Sequence, residues 1–101
     1  MLLKSFTITL IGNKSDQMQF EISHAQKGMK VECSEDDERY LIETEDSWHL
    51  GYLPKKVSNE LEELLTLGYE ILNCEIVDII NESGIKKVVV KIDLNGDEAF
   101  V

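Results

Sequence analysis

Residues 51–70 read GYLPKKVSNELEELLTLGYE, and the fold assignment depends on the change of pattern within this stretch. Before it, apolar residues recur at every second position, which is typical of strands. After Pro54, which suits the first turn of a helix, apolar residues recur at helical spacing. The residues on this apolar face are Val57, Leu61, Leu64 and Leu65. Gly68 stands where a left-handed helix end is favoured, so the sequence predicts a helix over 55–67.

Period-two alternation predicts five short strands ahead of this helix. The first two strands would each turn one apolar face inward: Phe6, Ile8 and Leu10, then Met18, Phe20 and Ile22. Turn-forming residues at 12–16 lie between them and predict a hairpin. The other three strands are predicted at 29–33, at 40–42 and at 47–53, the last ending at the proline.

Two longer strands are predicted after the helix, at 69–80 and 85–93, with a hairpin turn at 81–84. Asn95-Gly96 is a second turn signal, and Phe100-Val101 could begin a last strand. Many short strands with one main helix inserted predict an α+β, mainly β fold, in which a small antiparallel sheet curls into a barrel and so loses its exposed edges. A length of 101 residues fits a single domain, 1–101.

The charge is strongly acidic, with 20 acidic and 10 basic side chains and a net charge of −10. Eight of the acids lie within residues 32–46, where Arg39 is the one base. Nucleic-acid-binding domains usually have the opposite sign. This acidic segment is interpreted as a solvated surface, with a divalent-cation site or a docking surface for a basic protein partner as alternatives.

Catalytic and metal-binding patterns are not found in the sequence, which predicts a non-enzymatic protein without a cofactor. Cys33 and Cys74 have no zinc-ligand spacing with His24 or His49, and the two cysteines are expected to be reduced and structural. No apolar run approaches the roughly 18 residues of a membrane span. The N-terminus does not resemble a signal peptide, so a cytoplasmic protein is expected.

The stretch at 51–70, together with the preceding strand, resembles the second half of a HIRAN domain. In that family a G-Y-[LI]-P step leads into a helix of defined apolar pattern. The matching residues are Leu50, Gly51, Tyr52, Leu53, Pro54, Val57, Leu61, Leu64, Leu65 and Gly68. The resemblance implies a small β-barrel related to OB-folds that binds single-stranded DNA and favours a 3′ end.

Two regions carry DNA binding in that family, and both depart from the family pattern here. After the first strand, Lys14 stands for the family's basic residue, but the neighbouring aromatic residues are missing. The family's second binding loop falls within residues 33–40, where Asp36 or Asp37 matches its aspartate and its asparagines and proline are absent. The resemblance therefore implies the fold more firmly than the binding.

A single-strand site needs aromatic platforms and cationic side chains. The candidates for such a site are Lys14, Trp48, Tyr52, Lys55 and Lys56. Each also has a structural interpretation, since Tyr52 and Trp48 could be packing residues and the lysines solvated. Two functions follow: a HIRAN-like module that binds single-stranded DNA weakly, or an acidic protein-interaction module that has lost nucleic-acid binding and docks a basic partner through 32–46.

Overall fold

A computed structural model describes residues 2–96 of the protein, with six strands and two helices in this range. The strands are β1 (Leu2–Thr9), β2 (Val31–Asp36), β3 (Arg39–Thr44), β4 (His49–Tyr52), β5 (Glu70–Glu82) and β6 (Ile85–Gly96). The helices are α1 (Asp16–Ile22) and α2 (Lys55–Thr66). The predicted mainly β architecture is confirmed, with strands arranged in two antiparallel sheets.

The long sheet has the strand order β1-β6-β5. Its central hairpin turns at Ser83 and Gly84, whose φ angles of 54° and 82° are those of the tight turns that suit the strand twist. The turn predicted at 81–84 is thereby confirmed. Alternate side chains of β6 supply the centre of the core, each with 0% of its surface exposed: Val88, Val90, Ile92 and Leu94.

The short sheet has the order β2-β3-β4, and its register slips between Ile42 and Glu43. Its three strands agree with those predicted at 29–33, 40–42 and 47–53, although each boundary shifts by a few residues. One isolated bridge, between Lys30 and Glu75, joins it to the long sheet. Within residues 2–96 no continuous strand ladder closes the two sheets into a barrel.

Helix α2 confirms the helix predicted at 55–67, and its last residue differs by one from the prediction. Pro54 immediately precedes it, and Leu61 is completely buried against the sheets. At the other end Gly68 has a φ of 99°, which allows the N–H of Tyr69 to donate to the carbonyl of Leu64 at 2.9 Å. That bond satisfies a carbonyl that the helix itself leaves without a partner.

Residues 16–22 form helix α1, so the predicted second strand and its hairpin are wrong. Ser15 caps the helix by accepting a hydrogen bond from the N–H of Met18, which stabilises the first turn. A six-residue alternation is too short to distinguish a strand from a helix. In the helix Ile22 is buried, whereas Phe20, predicted to face the core, is 56% exposed.

Gln19 fastens α1 to the long sheet through its side-chain amide. Its Nε2 donates to the carbonyls of Asn13 and Lys86 at 2.8 and 3.0 Å, and its Oε1 accepts from the N–H of Lys86 at 2.8 Å. The amide therefore pairs with both backbone groups of Lys86, as a neighbouring strand would. These hydrogen bonds dock helix α1 at the start of β6.

The turn predicted at Asn95-Gly96 is also wrong, because both residues belong to β6 and Gly96 pairs with Leu2. A Cβ atom at Gly96 would come within 2.5 Å of the Tyr69 ring, so glycine here makes room for an aromatic side chain rather than for a turn. The strand predicted to begin at Phe100-Val101 lies outside the described residues. Neither α1 nor α2 is long and apolar enough to cross a membrane.

Candidate functional site

Three of the five predicted site residues, Tyr52, Lys55 and Lys56, lie at or directly after the C-terminal end of β4, and Lys14 lies on a loop that packs along this strand. Tyr52 and Ile11 exchange two backbone hydrogen bonds, of 2.8 and 2.9 Å, and so hold the loop that carries Lys14 next to β4. Lys14 is exposed on this loop. Lys55 and Lys56 are exposed in the first turn of α2, directly after Pro54. The structure thus brings three cationic side chains to the segments that flank Tyr52.

Gly51 permits this close approach. Its φ of 140° is disfavoured for residues with a side chain. A Cβ atom at this position would lie 3.0 Å from Asn13 Nδ2 and 3.1 Å from the carbonyl oxygen of Ile11. The G-Y step is therefore a structural joint at which the β1–α1 loop packs directly on the backbone of β4.

The ring of Tyr52 is occupied by neighbouring side chains. The guanidinium carbon of Arg39 lies 3.9 Å from the ring centroid, a cation–π contact that covers one face. The Tyr52 hydroxyl donates to Asp36 Oδ2 at 3.1 Å. Burial raises the pKa of Tyr52, and the hydrogen bond to Asp36 raises it further. A base could stack on this face only if Arg39 moved aside.

Asp36 and Arg39 flank the tight turn of the β2–β3 hairpin. The two residues of the turn, Asp37 and Glu38, are exposed and have positive φ angles of 46° and 67°. Since Asp36 and Arg39 both contact Tyr52, this acidic turn is held next to Tyr52. Its negative charge opposes phosphate and favours a cation at the same place.

Trp48, the fifth predicted residue, lies at the other end of β4 in an aromatic cluster with Phe20 and His24. The rings of Trp48 and His24 are stacked, with centroids 3.9 Å apart and planes 10° from parallel. Phe20 contacts both edge-on, with centroid distances of 5.0 Å to His24 and 6.2 Å to Trp48. The sequence does not group Phe20 and His24 with Trp48, because their i, i+4 spacing brings them to one side only when residues 16–22 form a helix, where alternation predicts a strand.

Acidic side chains border this aromatic cluster. His49 lies between two carboxylates, with Nδ1 3.6 Å from Glu21 Oε1 and Nε2 3.5 Å from Glu43 Oε2. Glu21 is buried and accepts a hydrogen bond from the N–H of His49 at 3.2 Å. These contacts fasten α1 to β4. Over the described part of the chain, no three histidine, cysteine or acidic side chains converge as metal ligands would.

Comparisons with known proteins show the fold and nothing more specific. No protein-family model matches the chain, and no curated protein matches it either. A crystal structure of a Lactobacillus plantarum protein, determined as a structural-genomics target, is similar with a TM-score of 0.66. The two are 15% identical, and the match covers 93% of this chain and 98% of the other. At this identity the likeness concerns the path of the backbone alone.

Proposed function

We propose that the protein is a non-enzymatic binding module of HIRAN type, built on an OB-like barrel arrangement, that binds single-stranded DNA weakly along β4. One observation carries the proposal: aromatic side chains stand at both ends of this strand, with Lys55 and Lys56 directly after Tyr52 and Lys14 on the loop packed along the strand. Trp48 and Tyr52 are four residues apart, roughly 13 Å at about 3.3 Å per residue. That spacing offers two separate places at which bases stack. Separately, the two free thiols favour the cytoplasm as the compartment in which the protein works.

The same surroundings set an upper limit on the affinity. Arg39 covers a face of Tyr52, and the acidic turn repels phosphate next to the same residue. We therefore expect a Kd in the nonspecific range of ~10⁻⁴ to 10⁻⁶ M. Few phosphates can be contacted, so the logarithm of the affinity should fall with the logarithm of salt concentration with a slope of about −1 to −3, at roughly 0.7 per phosphate.

Fluorescence anisotropy with a labelled oligonucleotide tests the proposal, comparing a free 3′ end with a blocked one. The double variant Lys55→Glu/Lys56→Glu should abolish binding. The double variant Lys4→Glu/Lys87→Glu changes the net charge equally at positions away from β4, and it should bind almost as the wild type does. Equal losses in the two variants would show that only net charge matters, and no binding at any salt concentration would refute the proposal.

A second function is favoured by the exposed acidic turn. On this alternative the protein docks a basic protein partner through residues 32–46, and DNA does not bind. A lysine-rich peptide should then bind with micromolar affinity and lose that affinity in the variant Asp37→Lys/Glu38→Lys. Failure of the peptide to bind at low salt would exclude this second function.

A further inference from the structure

The two cysteines lie on different sheets, at the place where the sheets approach each other. Cys33 is on β2 and Cys74 on β5. The antiparallel bridge between Lys30 and Glu75 joins these two strands next to them. Continuing that register places Val31 opposite Cys74 and Cys33 two residues further on. The two cysteines are then diagonal neighbours on one face of the strand pair, where Cβ atoms are typically less than about 8 Å apart.

Both cysteines line one open cavity of about 460 Å³. Lys30, which bonds to Asn73 and lies 3.8 Å from Glu75, forms part of its wall. Cys74 is 6% exposed, whereas Cys33 is only half-buried. Of the two thiols, Cys33 is therefore the more accessible to a small solute in the cavity.

The pKa values of the two thiols are shifted in opposite directions by the hydrogen bond between them. A hydrogen bond from the Cys74 thiol lowers the pKa of Cys33, although burial opposes this shift. The same hydrogen bond, together with burial, raises the pKa of Cys74. Because the thiolate is the reactive form of cysteine, Cys33 is the nucleophile of the pair and Cys74 the thiol that follows.

We propose that Cys33 and Cys74 form a redox modification site, at which a hydroperoxide converts the two thiols into a disulfide that links the two sheets. The Cys33 thiolate attacks one peroxide oxygen, so that an S–O bond forms and the O–O bond breaks. The departing oxygen takes up a proton as water or an alcohol, and Cys33 is left as a sulfenic acid.

The sulfur of Cys74 then attacks the sulfur of Cys33. An S–S bond forms, the S–O bond breaks, and the hydroxide leaves as water with the proton of the Cys74 thiol. In total the two thiols give up two electrons and two protons, and the peroxide is reduced by two electrons. The disulfide would join strands 41 positions apart in a chain whose two sheets are otherwise linked by few backbone bonds.

The full chain treated with hydrogen peroxide provides the test. Intact-mass measurement without reductant should show a loss of about 2 Da, and digestion should give a peptide that links Cys33 to Cys74. The melting temperature should rise by about 10 °C or more, because the cross-link restricts the unfolded chain, and reductant should reverse the rise. A product that instead gains oxygen without forming this link, or that links two chains, would overturn the proposal.

Two variants separate the roles of the thiols. In Cys74→Ser, a sulfenic acid should remain at Cys33 and be captured by a dimedone probe. In Cys33→Ser, the remaining thiol should react at least about tenfold more slowly, since it is buried and its thiolate is disfavoured. Equal rates in the two variants would contradict the assignment of Cys33 as nucleophile, and the wild-type mass measurement stands even if either variant unfolds.

Discussion

The two sheets of this protein differ in how much their last strands depend on polar side chains. The long sheet has strands of 8, 13 and 12 residues and places four completely buried apolar side chains from β6 in the core. The short sheet has strands of 6, 6 and 4 residues, a register slip and an acidic turn. Apolar burial stabilises both sheets, since Ile42 and Leu50 of the short sheet are also 0% exposed. The short sheet differs in that buried polar side chains bond to its last strand as well.

Three buried polar side chains bond to the backbone of β4 and the residue before it. Asn13 Nδ2 donates to the carbonyl of Leu50 at 2.9 Å, and Thr44 Oγ1 accepts from the N–H of Trp48 at 3.1 Å. Glu21 accepts a hydrogen bond from the N–H of His49. β4 pairs with β3 alone among the strands, and these side-chain bonds add to that pairing, whereas β6 lies between two strands. The short sheet is therefore specified by a few individual residues, and the long sheet by a pattern.

The largest effect is expected in the core of the long sheet. Leu94→Ala should lower the free energy of unfolding by about 2 to 5 kcal/mol, because it leaves a cavity where 0% of the side chain was exposed. Leu72→Ala is the matched control, since Leu72 is on the same sheet and 57% exposed, and it should cost less than about 0.5 kcal/mol. Urea denaturation measures both, and similar losses would mean that burial does not distinguish the two leucines.

A smaller but still clear loss of stability is expected when a side chain that bonds to the backbone of β4 is removed. Asn13→Ala leaves the carbonyl of Leu50 without its side-chain donor, so the free energy of unfolding should fall by about 1 to 3 kcal/mol. Lys14→Ala, on the exposed neighbouring residue, is the control and should be nearly neutral. If both variants are neutral, β4 does not depend on its side-chain partners and the contrast between the sheets fails.

The smallest effect on stability is expected from the hydrogen bond between Ser5 and Asp93 on the long sheet, and this effect depends on pH. A hydrogen bond from Ser5 Oγ, 2.6 Å long, holds the pKa of Asp93 below its usual value. A carboxylate with a lowered folded-state pKa stabilises the protein above its unfolded pKa of about 3.9, and the contribution is lost as pH falls through the folded value. Ser5→Ala should therefore be less stable than the wild type at pH 7, with a difference that shrinks in acid.

Carboxyl carbon shifts in a pH titration measure the pKa of Asp93 directly. The pKa should rise in Ser5→Ala and rise less in Lys91→Gln, since the Lys91 ammonium is 3.9 Å from Asp93 and contributes less to the shift. A constant stability difference between pH 7 and pH 3 would show that the serine acts through strand packing alone.

The sequence predicted the long strands and α2 well, because a period sustained over a dozen residues and a glycine at the helix end leave little choice. It failed at α1, where a six-residue pattern was compatible with two structures and the N-cap at Ser15 was not used. The Asn95-Gly96 dipeptide predicts a turn because such short signals carry no information about tertiary packing, and here the glycine accommodates the Tyr69 ring. The barrel closure expected from strand count stays a prediction.

The candidate site was predicted only in part, for the same physical reason. Tyr52 and the lysines follow one another along the chain, so a local motif could group them. The partners of Trp48, and the contact of Tyr52 with Arg39 and Asp36, arise from residues distant in sequence. Only the packed structure brings those groups together.

The pairing of Gln19 with Lys86 has a consequence for motion. Because a single side-chain amide bonds both backbone groups of Lys86, that residue's amide proton is protected only while α1 is docked. Detachment of α1 as a cooperative unit would expose it to solvent, even with the rest of β6 intact. The exchange rate of this one proton with deuterium is thus a built-in reporter of how often the helix leaves the sheet.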